Sequence, residues 1–265
     1  MKLGKHTWTK PQLLLLAAFA AYVWVQLWCV RWYDPWRDVS QAWCIVRDLS
    51  IPQIFAQLRY EGHPFLWYAL LWPLAKLGLP FESILVLSTA LQVQKGAAKR
   101  GLGVAMLVFS LLTVPAMLRS LQEVVRPPQE NVRSETIAQA LVEVTEPDAV
   151  LFTDNEFYIS LFSAYQPGLE FRNPARSEPI SFTTWDGLED GIGGGTMSVR
   201  EAVEALRADP AVGNRPLYFF TTGAMALSDA PVYIEQAAEQ GVTLTFVGGW
   251  HRTQYEEYAL LRVEA

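Results

Sequence analysis

Hydrophobic residues follow two regimes along this chain. Before about residue 120 they gather in long uninterrupted runs, and after it they alternate with polar residues at helix and strand spacings. Gln12 to Val30, QLLLLAAFAAYVWVQLWCV, is nineteen residues without a charge. At about 1.5 Å per residue, a helix of that length crosses about 30 Å of hydrocarbon. Pro64 to Leu79 is broken only by Lys76, whose stem can lie along apolar surface, and Gly101 to Leu118 carries no charge at all. The three runs read as membrane spans. Phe81 to Val93 is apolar but too short to cross, and it stops against the basic stretch QKGAAKR.

Between the first two runs the pattern turns helical. Val39, Ala42, Trp43, Val46 and Leu49 recur at three and four, the spacing of one helix face. Ser50 and Pro52 mark a stop and restart, and Ile54, Phe55 and Leu58 continue the face. Two short amphipathic helices lying on the outer membrane surface are expected. Beyond the Pro127–Pro128 linker, Ile137, Leu141 and Val144 predict an amphipathic helix. AVLFTD, LEFRNP, RPLYFFTTG, VTLTFVGG and EYALLRVE predict strands, with intervening helices from about Glu156, over SVREAVEALRADP and over PVYIEQAAEQG. Ser198 with Glu201 three residues on has capping-box spacing, and Gly241 supplies a helix stop. Such alternation predicts a mainly parallel sheet covered on both faces and finished by an antiparallel strand.

The expected fold is thus an α-helical membrane region of about three transmembrane helices plus amphipathic loop helices over 1–120, with an outer loop at 31–62. An outer α/β domain with a mainly parallel sheet follows over 121–265.

Charge sharpens this picture. Residues 1–120 carry twelve Lys and Arg against five Asp and Glu, whereas residues 121–265 carry nine against twenty-two. The net charge of −6 is the sum of two unlike segments. Eight of the ten tryptophans precede residue 73, where a membrane protein needs its interfacial aromatics. Lys2, Lys5 and Lys10, and then Lys95, Lys99 and Arg100, should stay cytoplasmic by the positive-inside bias. The expected location is the inner membrane, multi-pass, with the C-terminal domain extracytoplasmic. An acidic outer domain without a basic stripe excludes nucleic acid as a partner. Cys29 and Cys44 read as small apolar residues rather than a disulfide framework.

Chemistry concentrates at RYEGHP, where Glu61 and His63 stand at the entrance of the second run, and at Asp38, which opens the first loop helix. Ionisable groups at membrane depth are costly unless they face a polar cavity, a metal or each other, so these three are expected to converge on one pocket. The structural alternative is an N-cap role for Asp38 and a plain interfacial role for Glu61 and His63 before Pro64. DGLEDGIGGGTMS offers glycines before a helix N-terminus but lacks the Lys-Ser/Thr of a P-loop, and reads as a loop. His251 reads as a hairpin-turn residue. Asp154 and Glu156 follow a strand end, the ligand edge of an open sheet, although Asp154 or Asn155 serves equally well as a helix cap.

RDVSQAWCIVRDLS and LRYEGHPFLWYALLWPLAKLGLP resemble the first outer loop and second span of polytopic glycosyltransferases of the GT-C fold, a group that includes protein O-mannosyltransferases and lipid A aminoarabinose transferases. Asp38 matches the first acid of that group's Asp-Glu pair, with Val39 where the glutamate stands, and Glu61, Gly62, His63 and Pro64 match its acidic-x-His-Pro motif. The likeness covers roughly residues 10 to 92. It implies sugar transfer from a polyprenyl-phosphate-linked donor to an acceptor at the outer membrane face, with membrane lipid as the other partner. By the same likeness Asp38 would be the catalytic base, and Glu61 a catalytic partner positioning acceptor or phosphate. His63 would bind substrate, Arg59 or Arg47 would offset phosphate charge, and a divalent metal would be held by Asp38, Glu61 and His63. Enzymes of this group have many more spans. The abrupt end of the Phe81 to Val93 run therefore reads as an internal deletion, and an inactive remnant or a membrane-anchored glycan- or protein-binding module stay open beside the enzyme.

Overall fold

The computed structural model describes Trp24, Asp34 and residues 36–84, 132–176, 178–185, 191–253 and 256–264. The chain divides into two compact units, Met1–Tyr33 with Leu85–Leu118, and Asp34–Ile84 with Arg119–Ala265. All described residues except Trp24 belong to the second unit.

That unit starts with three helices. Helix α1 (Arg37–Asp48) buries every residue from Ser40 to Val46, a wider face than an amphipathic helix on a membrane surface needs. After Leu49 the chain restarts at Ser50, which forms a capping box with Gln53 at the head of α2 (Ile51–Gln57). A 3-10 turn (Leu58–Tyr60) leads through Glu61 and His63 into α3 (Phe65–Lys76). In the sheet portion, α4 (Ser134–Val144) precedes β1 (Val150–Thr153), and a 3-10 turn (Glu156–Tyr158) runs into α5 (Ile159–Ser163). Then follow β2 (Glu170–Arg172), β3 (Pro179–Ile180), α6 (Val199–Ala208), β4 (Leu217–Gly223), α7 (Ala226–Glu239), β5 (Leu244–Thr253) and β6 (Glu256–Val263).

The six strands form one sheet in the order β3-β2-β1-β4-β6-β5. β2, β1 and β4 pair in parallel, β3 is antiparallel to β2, and β6 lies antiparallel between β4 and β5, so that β5 runs in the direction of β4. The sheet is therefore mixed rather than mainly parallel, because β6 returns beside β4 and then pairs with β5 as a hairpin. Side chains alternate between the two faces with period two. Leu151, Phe171, Tyr218, Phe220, Tyr258 and Leu260 pack under α4 and α5. Val150, Phe152, Phe219, Ala259, Leu261 and Val263 pack under α6 and α7. With helices on both faces, β1 and most of β4 are fully buried, which is why VLFT and LYFFTT read as continuous apolar runs rather than alternating ones.

The N-terminal helices are part of this unit. α1 packs against α3 and α5, with the Cys44 thiol 3.8 Å from the Ser160 carbonyl. Trp43, Phe81 and Tyr165 continue the contact, at ring-centroid separations of 5.9 and 5.0 Å. Asp34, just before α1, accepts hydrogen bonds from the Ser134 backbone and hydroxyl at the head of α4. It also ion-pairs at 2.7 Å with Arg252 of β5.

These contacts correct the expected membrane region. Among the described residues no helix is long and apolar enough to cross a membrane. The expected second span is the twelve-residue α3, whose Tyr68, Leu71 and Ala75 are buried within the protein. At about 1.5 Å per residue it reaches about 18 Å, short of a hydrocarbon core. A hydrophobic run of that length serves a protein core as readily as a bilayer, and length alone does not distinguish them. The expected spans at 12–30 and 101–118, the Pro127–Pro128 linker and the basic junction at 94–100 lie outside the described residues.

Candidate functional site

The residues singled out before the second apolar run meet the sheet portion in one small cleft. It has a volume of about 240 Å³ and is lined by Arg37, Asp38, Gln41, Tyr60, Glu61, Gly62, His63, Phe157, Thr183 and Trp185. Four separate stretches supply it, Phe157 coming from the 3-10 turn after β1. Asp38 lies in the first turn of α1, and Gln41, one turn on, lies on the same face. Glu61 and His63 come from the extended link between the 3-10 turn and α3. Thr183 and Trp185 come from the segment after β3.

The two carboxylates are treated differently. Glu61 is surrounded by donors: its Oε1 accepts from Gln41 and Gln57 Nε2 at 3.2 Å each and from the Trp185 indole at 3.4 Å, and its Oε2 accepts from the Tyr68 hydroxyl at 3.4 Å. Burial, reinforced by the Glu61 and then the Asp38 charge, pushes the Tyr68 phenol far above its ordinary range, so it remains a donor. Asp38 is open, with its side chain 56% exposed and its ion-pair contact to Arg37 at 3.6 Å, beyond hydrogen-bond range. The Arg37 guanidinium lies 3.8 Å over the Phe157 ring, and that ring meets Trp185 edge-on at 5.0 Å. His63 stands 6.4 Å from both the Trp67 and Tyr68 rings.

Asp38, Glu61 and His63 therefore share a cleft. Arg47 and Arg59 line a wider neighbouring one of about 790 Å³, which meets the first at Tyr60. Arg47 is held bidentate by Asp48, at 2.6 and 2.8 Å, and Arg59 lies 4.4 Å over the Tyr60 ring. Among the described residues no group of three or more His, Cys, Asp and Glu side chains could hold a metal ion. Glu61 Oε1 faces three N–H groups, an arrangement suited to an anion's lone pairs and not to a cation. The donor set does not fit the divalent metal expected for Asp38, Glu61 and His63, and no step is assigned to one.

A second feature sits at the carboxyl ends of β1 and β4. The chain leaves β1 toward β2 over one face and returns to β4 over the other, so this is where an open sheet presents its crevice. Asp154 stands there, accepting from the Thr221 hydroxyl at 2.9 Å, the Thr222 amide at 3.0 Å, and the Tyr233 and Thr153 hydroxyls at 3.3 Å each. Burial pushes its carboxyl up to about 6, against the pull of those hydrogen bonds. The crevice is filled by the chain itself: a Cβ on Gly193 would lie 2.0 Å from the Asp154 carbonyl oxygen, so the glycine-rich loop packs backbone to backbone there. Asn155, not Asp154, caps the following turn, its side chain accepting from the Phe157 amide at 2.9 Å. His251 lies within β5 and faces Glu257 of β6 at 3.5 Å, which corrects its reading as a turn residue.

Gln41, Thr183, Phe157 and Trp185 had no signal as site residues. Gln41 was within reach of one, since it stands three residues after Asp38 on a helix. Thr183 and Trp185 lie more than a hundred residues away.

No family model, no curated protein and no solved structure matches this chain. The glycosyltransferase likeness is left without support beyond the motif residues themselves, and the transmembrane reading of its second span is overturned, because α3 is too short to cross and no described helix is long and apolar enough to do so.

Proposed function

We propose that the Asp38–Glu61–Trp185 cleft binds a single saccharide ring. One observation carries the reading: two carboxylates, a guanidinium and an indole from three distant stretches converge on a cleft of about 240 Å³. Carboxylates accept from sugar hydroxyls, the Arg37 guanidinium donates to them, and the Trp185 ring offers an apolar face to ring C–H groups. The volume is below the roughly 300–1,000 Å³ typical of drug-sized ligands, which suits one ring. Saturation-transfer NMR with a panel of methyl glycosides tests this. Binding that weakens in Trp185→Ala and Asp38→Asn is expected, and absence of binding by every glycoside to the unaltered protein at millimolar concentration rejects it.

The openness of Asp38 favours a second reading, sugar transfer. Asp38 would take the proton of an acceptor hydroxyl while the freed oxygen bonds to the anomeric carbon and the donor's leaving group departs with the electron pair. Asp38→Asn would then lower turnover by about 10²- to 10⁴-fold while leaving the fold intact. Equal turnover in that variant excludes Asp38 as the base.

A further inference from the structure

We infer that Gln41 is the positioning residue of the cleft, a single buried amide that sets both the Glu61 carboxylate and the Trp185 wall; the functional consequence rests on the saccharide reading above. Gln41 is 4% exposed, and both residues its side chain hydrogen-bonds, Thr183 and Glu61, line the cleft. Its Oε1 accepts from the Thr183 amide at 2.9 Å, and its Nε2 donates to the Thr183 carbonyl at 2.8 Å and to Glu61 Oε1 at 3.2 Å. The amide orientation follows from this network, because the Thr183 N–H can only donate and so must face the oxygen.

The pair of bonds to Thr183 copies the two-way exchange between neighbouring strands, with a side-chain amide as the partner. Thr183 and Trp185 both line the smaller cleft, while Thr184 between them lines the wider one, the alternation of an extended segment. Fixing the backbone at Thr183 therefore decides which cleft receives the indole. Both arms of the arrangement then close on one atom, since Gln41 Nε2 and Trp185 Nε1 donate to the same Glu61 oxygen. Asp38, one turn earlier on α1, is carried by the same helix, so Gln41 also sets the distance from the open carboxylate to the wall.

The test uses the full chain and two variants. Gln41→Met keeps the volume and removes all three bonds; Gln41→Glu keeps the acceptor for the Thr183 amide and removes both donors. Hydrogen exchange at the Thr183 amide and the Trp185 indole resonance, assigned by its loss in Trp185→Phe, are read without ligand. Exchange at Thr183 should quicken by about tenfold or more in Gln41→Met and stay near the unaltered rate in Gln41→Glu, as one hydrogen bond predicts. The Trp185 resonance should move in both. If Gln41→Met leaves either Thr183 exchange or the Trp185 resonance unchanged, or if Gln41→Glu, read in place of a Gln41→Met that fails to fold, leaves the indole unmoved, the positioning role is wrong. Methyl glycoside affinity is then measured on the same samples. Weaker binding in both variants extends the role to the ligand, and unaltered binding beside a displaced indole overturns that extension. Failure of the unaltered protein to bind any glycoside rejects the saccharide reading alone, because the ligand-free measurements still judge Gln41.

Discussion

Asp154 gives the most direct physical test of the sheet portion. Its carboxyl sits among Thr153, Thr221, Thr222 and Tyr233 at the ends of β1 and β4, with the glycine-rich loop packed on its carbonyl. Burial raises it from 3.8 to about 6. The folded protein therefore holds this proton more tightly than the unfolded chain, and stability must fall as pH rises through the interval between the two values. The contribution is fully present below about pH 4, declines between about 4 and 6, and is absent above. A shift of about two units corresponds to about 3 kcal/mol, an upper figure because the residue keeps some access to solvent.

Asp154→Asn removes the titration and preserves most of the contacts. Its oxygen still accepts from the Thr222 amide, and the Thr221 and Tyr233 hydroxyls can rotate to accept from the new amide. Urea unfolding followed at several pH values should give a stability difference between the two proteins that favours the original at pH 4 and shifts by up to about 3 kcal/mol toward the variant by pH 7. Taking the difference cancels the other carboxyls, among them Glu170, whose pairing with Arg215 and Arg172 holds it low despite the opposing effect of burial and so acts with the opposite sign. A difference that stays flat from pH 4 to 7 refutes the argument that burial dominates at Asp154.

Other outcomes follow from single contacts. Gly193→Ala drives a Cβ into the Asp154 carbonyl and should cost about 1–3 kcal/mol, read as a lowered urea midpoint; an unchanged midpoint means the loop lies elsewhere. Arg252→Met leaves Asp34 and Glu256 facing each other without their shared cation and should destabilise by about 3 kcal/mol in the same assay. Burial pushes the Cys44 thiol up to about 12, so its peptide should resist iodoacetamide at pH 8 until denaturant is added; rapid labelling of the native protein would exclude the packing of α1 on α5.

Local chemistry made several elements legible in the sequence. The Ser198–Glu201 capping box forms as its spacing requires, because both hydrogen bonds lie within four residues. The strands over 150–153 and 217–223 were visible from continuous apolar runs, and α1 from its three-and-four periodicity. The partner of an apolar face was not visible. The greasy face of α1 meets α3 and α5, and the hydrophobic effect, being non-directional, marks a surface for burial without naming what buries it. Strand order was not visible for the same reason: the final antiparallel strand β6 inserts between β4 and β5, pairing with β4 through residues more than thirty apart, which no local pattern encodes.

The candidate site divides in the same way. Sequence determined that Asp38, Glu61 and His63 were expensive groups beside apolar residues and had to face something polar. Only the tertiary structure decided that the polar company is Gln41, Thr183 and Trp185, that Glu61 is ringed by donors while Asp38 stays open, and that Arg47 and Arg59 belong to a neighbouring cleft. The desolvation cost of a charge is a property of the residue and can be read from the chain. At Glu61 the groups that offset it are partly local, Gln57 and Tyr68, and partly brought by long-range packing, Gln41 and Trp185 from 20 and 124 residues away.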